Sequence, residues 1–246
     1  MSSNAKSFLS KLKDLNDANT VTVKVPSTGK KAEFKLASVS QQKALIRTAF
    51  DGLDGVINRT KATNSIIIDN AIDDAEYLII DKPAILVALR KESIGSSIKI
   101  DDKEYDLNVL PEIKKSDVKL TDSIEHDGIT VNLKVPTLAV DSEVTDKLAK
   151  EFGKIQDPEE KIKQSVDIVV AFESAKYVDT ITVGEDEIAF ADISVKERRD
   201  IINNLPLAIN NKIVEYIASV KEVIDKALTV DKEVVIDFDA SFLSTD

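Results

Sequence analysis

His126 is the only histidine in the chain of 246 residues, so a Ser-His-Asp triad has a single candidate base. It stands beside Asp127-Gly128, a pair that favours a tight turn, and turn chemistry accounts for it without catalysis. One histidine cannot supply a multi-imidazole metal site, and the lack of cysteine removes thiolate nucleophiles, zinc fingers, iron–sulfur clusters and disulfides. The phosphate-cradling pattern G-x-x-x-x-G-K-[ST] fails twice at Gly29-Lys30: Lys24 takes the place of its first glycine and Lys31 that of its hydroxyl residue. Carboxylates gather at Asp51-Gly52-Leu53-Asp54-Gly55 and at Asp101-Asp102-Lys103-Glu104, where oxygen ligands could hold Ca²⁺ or Mg²⁺, yet neither run has EF-hand spacing. Asp237 and Asp239 would project from one face of a strand, an arrangement that solvated alternation also produces. Among 44 acidic residues chance carboxylate pairs are inevitable, so no pair is informative by itself. The expectation is a chain with no catalytic residue, no cofactor and no metal.

Composition narrows the partners. A net charge of -11 sets up an average field that repels polyanions, which argues against nucleic acid. The densest basic cluster, Lys196-Glu197-Arg198-Arg199, is offset by Glu197 and Asp200 on the same expected helix. At 43% hydrophobic and 31% charged residues the chain is too apolar for disorder, and its apolar runs are too short to cross a bilayer. Met1-Ser2-Ser3-Asn4-Ala5-Lys6 leads into a mixed polar stretch without the apolar core of a secretory signal, so the protein is expected to stay where it is made.

Spacing then supplies the elements. Phe8, Leu12 and Leu15 recur at i, i+4 and i+7, a short apolar helical stripe that must dock on its own domain or on a partner. Thr20 to Val25 and Ala32 to Leu36 alternate around Pro26-Ser27-Thr28-Gly29 as a β-hairpin. Ser38 or Ser40 caps a helix that breaks at Asp51-Gly52 or Asp54-Gly55 and resumes toward Asn58, and another helical region starts near Ser65. Asp81-Lys82-Pro83 opens the most apolar helix, which runs to Gly95 and forms the spine of the N-terminal half. Strand patterns cover Ser97 to Ile100, Val118 to Ile124 and Ile129 to Val135. Asp157-Pro158-Glu159-Glu160 starts a helix to about Tyr177, a strand spans Thr180 to Val183, and Ser194 with Glu197 forms a capping box. Ile209, Ile213, Ile217, Val220 and Ile224 mark a long amphipathic helix from Leu207 to Leu228, and Lys232 to Asp239 reads as a terminal strand.

Three blocks resemble the T4-like phage baseplate hub protein family. The first is Val21-Thr22-Val23-Lys24-Val25-Pro26-Ser27 followed by Glu33 to Leu45. The second runs from Tyr77-Leu78-Ile79-Ile80 through Leu86 to an apolar helix closing on Arg90-x-x-x-Ile94-Gly95. The third is the tail, Val235-Ile236-Asp237-Phe238-Asp239-Ala240-Ser241-Phe242. The resemblance implies a non-enzymatic protein of contractile-tail morphogenesis that helps build the baseplate hub. It would be made in the host bacterial cytoplasm and would contact other phage tail and baseplate proteins. A subunit retained in the virion and a transient assembly chaperone both satisfy it, while an unrecognised hydrolase or a bacterial adaptor domain lies outside it.

The expected fold class is therefore α+β. Residues 1–19 form an arm or short amphipathic helix, 20–140 an α+β unit with hairpin, helices and a small antiparallel region, and 141–246 a helical part ending in a strand. These could also be one continuous unit. Exposed-edge logic nominates Phe8, Leu12 and Leu15, with Val235, Ile236 and Phe238, as partner-binding residues.

Overall fold

Alternation of apolar and polar residues dictates the first sheet. The computed structural model describes residues 3–51, 54–231, 233–239 and 241–244. After a lone helix, Ser3–Ala18 (α1), strands Thr20–Lys24 (β1) and Lys31–Lys35 (β2) pair antiparallel and turn Val23, Ala32 and Phe34 inward. Ser38 caps Val39–Arg47 (α2), its hydroxyl accepting from the Gln41 amide while the Gln41 side chain accepts from the Ser38 amide.

Gly55–Asn70 (α3) is one continuous helix, where the sequence suggested a resumption to Asn58 and a fresh start near Ser65. Its polar middle concealed it. Thr63 is buried and donates to the carbonyls of Arg59 and Thr60 at 3.0 Å, and Asn64 is buried against Asp141. Gly55 allows a close approach at the helix start, since a Cβ there would lie 2.7 Å from the Thr48 carbonyl oxygen. Of the two break points suggested, Gly52 lies outside the described residues.

Lys82–Ser93 (α4) is the expected spine, with Ile85, Leu86 and Leu89 fully buried. Beyond it, Ser97–Ile100 (β3) pairs with Lys103–Asp106 (β4), a strand hidden in the acidic run. Asp101 and Asp102 are its turn, both in the left-handed region at φ 49° and 64°, which aspartate tolerates better than most residues.

Thr121–His126 (β5) and Ile129–Lys134 (β6) meet at Asp127-Gly128, both with positive φ, as the turn reading of His126 requires. The chain then crosses through Leu138–Phe152 (α5) and Pro158–Tyr177 (α6) before Val178–Val183 (β7) and Asp186–Ala189 (β8) complete a four-stranded antiparallel sheet in the order β5-β6-β7-β8. Strands from both sides of residue 140 thus share one sheet. Thr137 caps α5, so helix resumes slightly before the expected 141, and Asp157 caps α6 as expected. Val195–Ile202 (α7) carries the Ser194–Glu197 capping box, and Leu207–Ala227 (α8) covers the sheet with Ile209, Ile213 and Val220.

The tail carries the expected strand, but a short one. Among the described residues there, Thr229–Val230 (β9) and Val234–Val235 (β10) pair, and Asp237 and Asp239 lie beyond that ladder. Ile236, Phe238, Phe242 and Leu243 instead enter the core built by the hairpin, α3 and α4. Arg90 fastens them, donating to the carbonyls of Phe242 and Ser244 while its guanidinium lies 5.7 Å from the Phe242 ring centre. Phe238 meets Phe242 edge-on at 4.8 Å. The architecture is α+β, with one core around α4, another between α8 and the sheet, and a smaller third where Ile57, Val144, Leu148, Phe152, Phe172 and Val195 meet.

Replacing Phe242 with alanine should lower unfolding free energy by roughly 3–5 kcal/mol, as for other buried aromatics. Urea titration measures the loss, and limited proteolysis should then cut first between Val234 and Ser244.

Candidate functional site

Asp141 stands in the first turn of α5, and its side chain is almost completely buried. One carboxylate oxygen accepts from the Lys176 ammonium at 2.7 Å. The other accepts from the Asn64 amide at 2.8 Å and faces Lys82 Nζ at 3.6 Å. Lys176 also meets Glu173 at 2.8 Å, and Glu173 pairs with Lys221 of α8 at 3.0 Å. Helices α3, α4, α5, α6 and α8 each contribute at least one group to this network.

The local sequence explains each placement. Pro83 starts α4 and puts Lys82 at its first position, while Thr137 fixes the start of α5 and hence the depth of Asp141. Glu173 and Lys176 are three apart on α6 and so share one face.

Burial governs the electrostatics. It would raise the Asp141 carboxyl, but Lys176 and Lys82 outweigh it and hold that group below the ordinary carboxylate range. Glu173 is held low in the same way by Lys176 and Lys221. Burial would lower Lys176, yet its two carboxylate partners push it up to about 12. Lys82 goes the other way, lowered by burial and by the neighbouring Lys176 cation, since its single long contact with Asp141 compensates less.

A second buried carboxylate, Asp81, occupies the N-cap position of α4 but sends its bonds elsewhere. It accepts from the Ser27 amide, the Ser27 hydroxyl and the Leu78 amide, all at 2.8 Å. It thereby pins the first hairpin's turn to the start of α4. Burial raises its pKa despite these three donors.

The Asp141 network forms the polar floor of a cleft of about 900 Å³. Ile57, Leu148, Phe152, Ile224 and Phe238 line its walls. Val56, Val169 and Val235 line it too, and each is 40% exposed or more. Tyr177 also lines the cleft, and its buried hydroxyl has no hydrogen-bond partner among the described residues.

The residues nominated from sequence divide. Phe8, Leu12 and Leu15 are exposed at 63%, 41% and 63%, with Leu9 beside them. In the tail Val235 is 49% exposed, whereas Ile236 and Phe238, read from sequence as an exposed edge, are 1% and 8% exposed and belong to the core. The reason is the Arg90 latch described above. The basic cluster is spent on structure: Arg198 is buried and pairs with Glu143 at 3.1 Å, Arg199 pairs with Asp200, and Glu197 caps α7. Among the described residues no group of three or more His, Cys, Asp or Glu is placed to hold a metal, and no helix is long and apolar enough to cross a membrane. Gly52 and Leu53 of the first acidic run lie outside the described residues, and Asp237 pairs with Arg59.

Sequence reasoning missed Lys82, Asp141, Glu173, Lys176 and Lys221 as a set. Each sits within an ordinary charged helix pattern, and only the folded arrangement brings them together. A lysine three residues after a glutamate, embedded in the apolar Val169 to Tyr177 stretch of α6, is the one local hint.

Comparison with known families gives a match to the family described as T4 bacteriophage base plate protein, over residues 18–233. No curated protein and no solved structure matches the chain.

Changing Asp141 to asparagine should cost roughly 3–5 kcal/mol at neutral pH by leaving Lys176 and Lys82 undercompensated. A depressed carboxyl stabilises the fold above its unfolded pKa of about 4, and that contribution is lost as pH falls through the lower folded value. Thermal unfolding across pH should therefore show wild type and Asp141→Asn converging as pH falls through the depressed folded value of Asp141, below which the carboxyl is protonated in both states. A gap that persists undiminished there would show that the ionised carboxylate is not the source of the effect.

Proposed function

The chain belongs to the T4 bacteriophage base plate protein family, and on that premise we propose that it is a structural component of the baseplate hub of a contractile-tailed phage. It works in this reading by protein–protein contact and without catalysis. The match over residues 18–233, which spans the whole body of the fold except the N-terminal helix and the end of the tail, is the observation that carries the proposal. Family membership points to other phage tail proteins as partners and to the virion tail as the location.

Two features of the molecule support the non-enzymatic part. His126 sits at the end of β5 beside its turn, 3.4 Å from the Asp127 carboxylate and remote in sequence from the cleft-lining residues. Lys82, whose lowered pKa is what an amine nucleophile needs, faces a carboxylate already shared with Lys176 and Asn64. The exposed stripe of α1, with Val235 at the cleft, supports contact as the mode of action, because large apolar side chains left in water mark surfaces that become covered.

Mass spectrometry of purified mature virions tests the assignment. The expected result is this chain at a fixed stoichiometry with other baseplate proteins. Its absence from virions, with recovery on tail proteins from infected lysate, would make it an assembly chaperone; absence from both would overturn the tail reading.

A further inference from the structure

Two surfaces of this chain stand open in complementary ways. Helix α1 presents Phe8, Leu12 and Leu15 at i, i+4 and i+7, a stripe about 10 Å long at 1.5 Å per residue. The Asp141 cleft presents an apolar lining with Val56, Val169 and Val235 standing exposed. An amphipathic helix laying three such anchors into an apolar groove is a recurrent mode of recognition.

We propose that these surfaces cover each other between copies: α1 of one protomer lies in the Asp141 cleft of a second, and the exchange is reciprocal. Three observations favour a second copy as the occupant. First, the helix is fixed beside its own hairpin, because a single residue, Asn19, joins it to β1, and the Asn19 carbonyl accepts from the Leu36 amide at 3.2 Å. No residue of β2 lines the cleft, and none of β1 does either, so the helix is anchored to elements that take no part in that site. Second, charge is complementary. Residues 3–18 hold three lysines and two aspartates, net +1, while the charged residues lining the cleft, Lys82, Lys176 and Lys221 against Asp141, Glu173, Asp225 and Asp237, sum to -1. Third, one two-turn contact is small against the roughly 1,200 Å² at which stable interfaces begin, and a two-fold exchange doubles it. The inference concerns self-association and does not depend on the hub assignment, so either can fail without the other.

Light scattering coupled to size exclusion, on the full chain at micromolar concentration, gives the test. The expected molar mass is twice the 27.0 kDa of one chain. Leu12→Glu spoils the arm, Val56→Glu spoils the cleft, and each should halve the mass with unchanged circular dichroism, since both positions are exposed and an acid at the start of α3 suits the helix dipole. An equimolar mixture of the two variants keeps one intact contact of two in each mixed pair, so it should associate more weakly than wild type and more strongly than either variant alone. A monomeric wild type, a dimer indifferent to either change, or a mixture that associates no more strongly than either variant alone would overturn the proposal. So would a dimer lost with Leu12→Glu but kept with Val56→Glu, which would mean that arms pair with each other.

Discussion

The Asp141 carboxylate is an ionic joint on which the arrangement of the helices depends. Through Lys176, Lys82 and Asn64 it ties α5 to α6, α4 and α3, and through Glu173 and Lys221 the tie reaches α8. Such a network adds little net stability compared with well-packed apolar residues of the same volume, because withdrawing Asp141, Lys176 and Lys82 from water costs nearly as much as their attraction returns. Breaking one link is different, since it strands a charge in a low-dielectric interior. The physical effect is to fix which helices meet and at what depth. That constraint holds the core around α4 next to the core around the sheet and shapes the cleft, whose walls also take Ile57, Leu148 and Phe152 from the third core.

Local chemistry was legible wherever a few neighbouring residues decide the outcome. The capping boxes at Ser38 and Ser194, the proline starts of α4 and α6, the turn at Asp127-Gly128 and the long stripe of α8 all follow from short-range rules. What escaped the sequence was set at long range. The middle of α3 looks polar because Asn64 has its partner 77 residues away, at Asp141. Strand β4 was masked by its acids, which serve a turn. The tail reads as a free edge because nothing near it in sequence announces Arg90, some 150 residues upstream. The charge network was illegible for the same reason: five ordinary helix charges acquire meaning only when four helices converge.

Function divides along the same line. The matched segment, residues 18–233, contains the joint, the sheet and most of the core around α4, to which Ile236, Phe238, Phe242 and Leu243 are added from beyond it. Helix α1 precedes that segment, none of its described side chains belongs to these cores, and its apolar stripe remains on the surface.

The joint's role can be read amide by amide with native-state hydrogen exchange in increasing denaturant, following Leu89 in α4 and Val131 in the central strand β6. If the Asp141 network makes the two cores one cooperative unit, both amides exchange only through the same global opening, with the same free energy and the same denaturant slope. Exchange of Val131 through an opening that leaves Leu89 protected, or the reverse, would contradict the account and show that the two cores open independently.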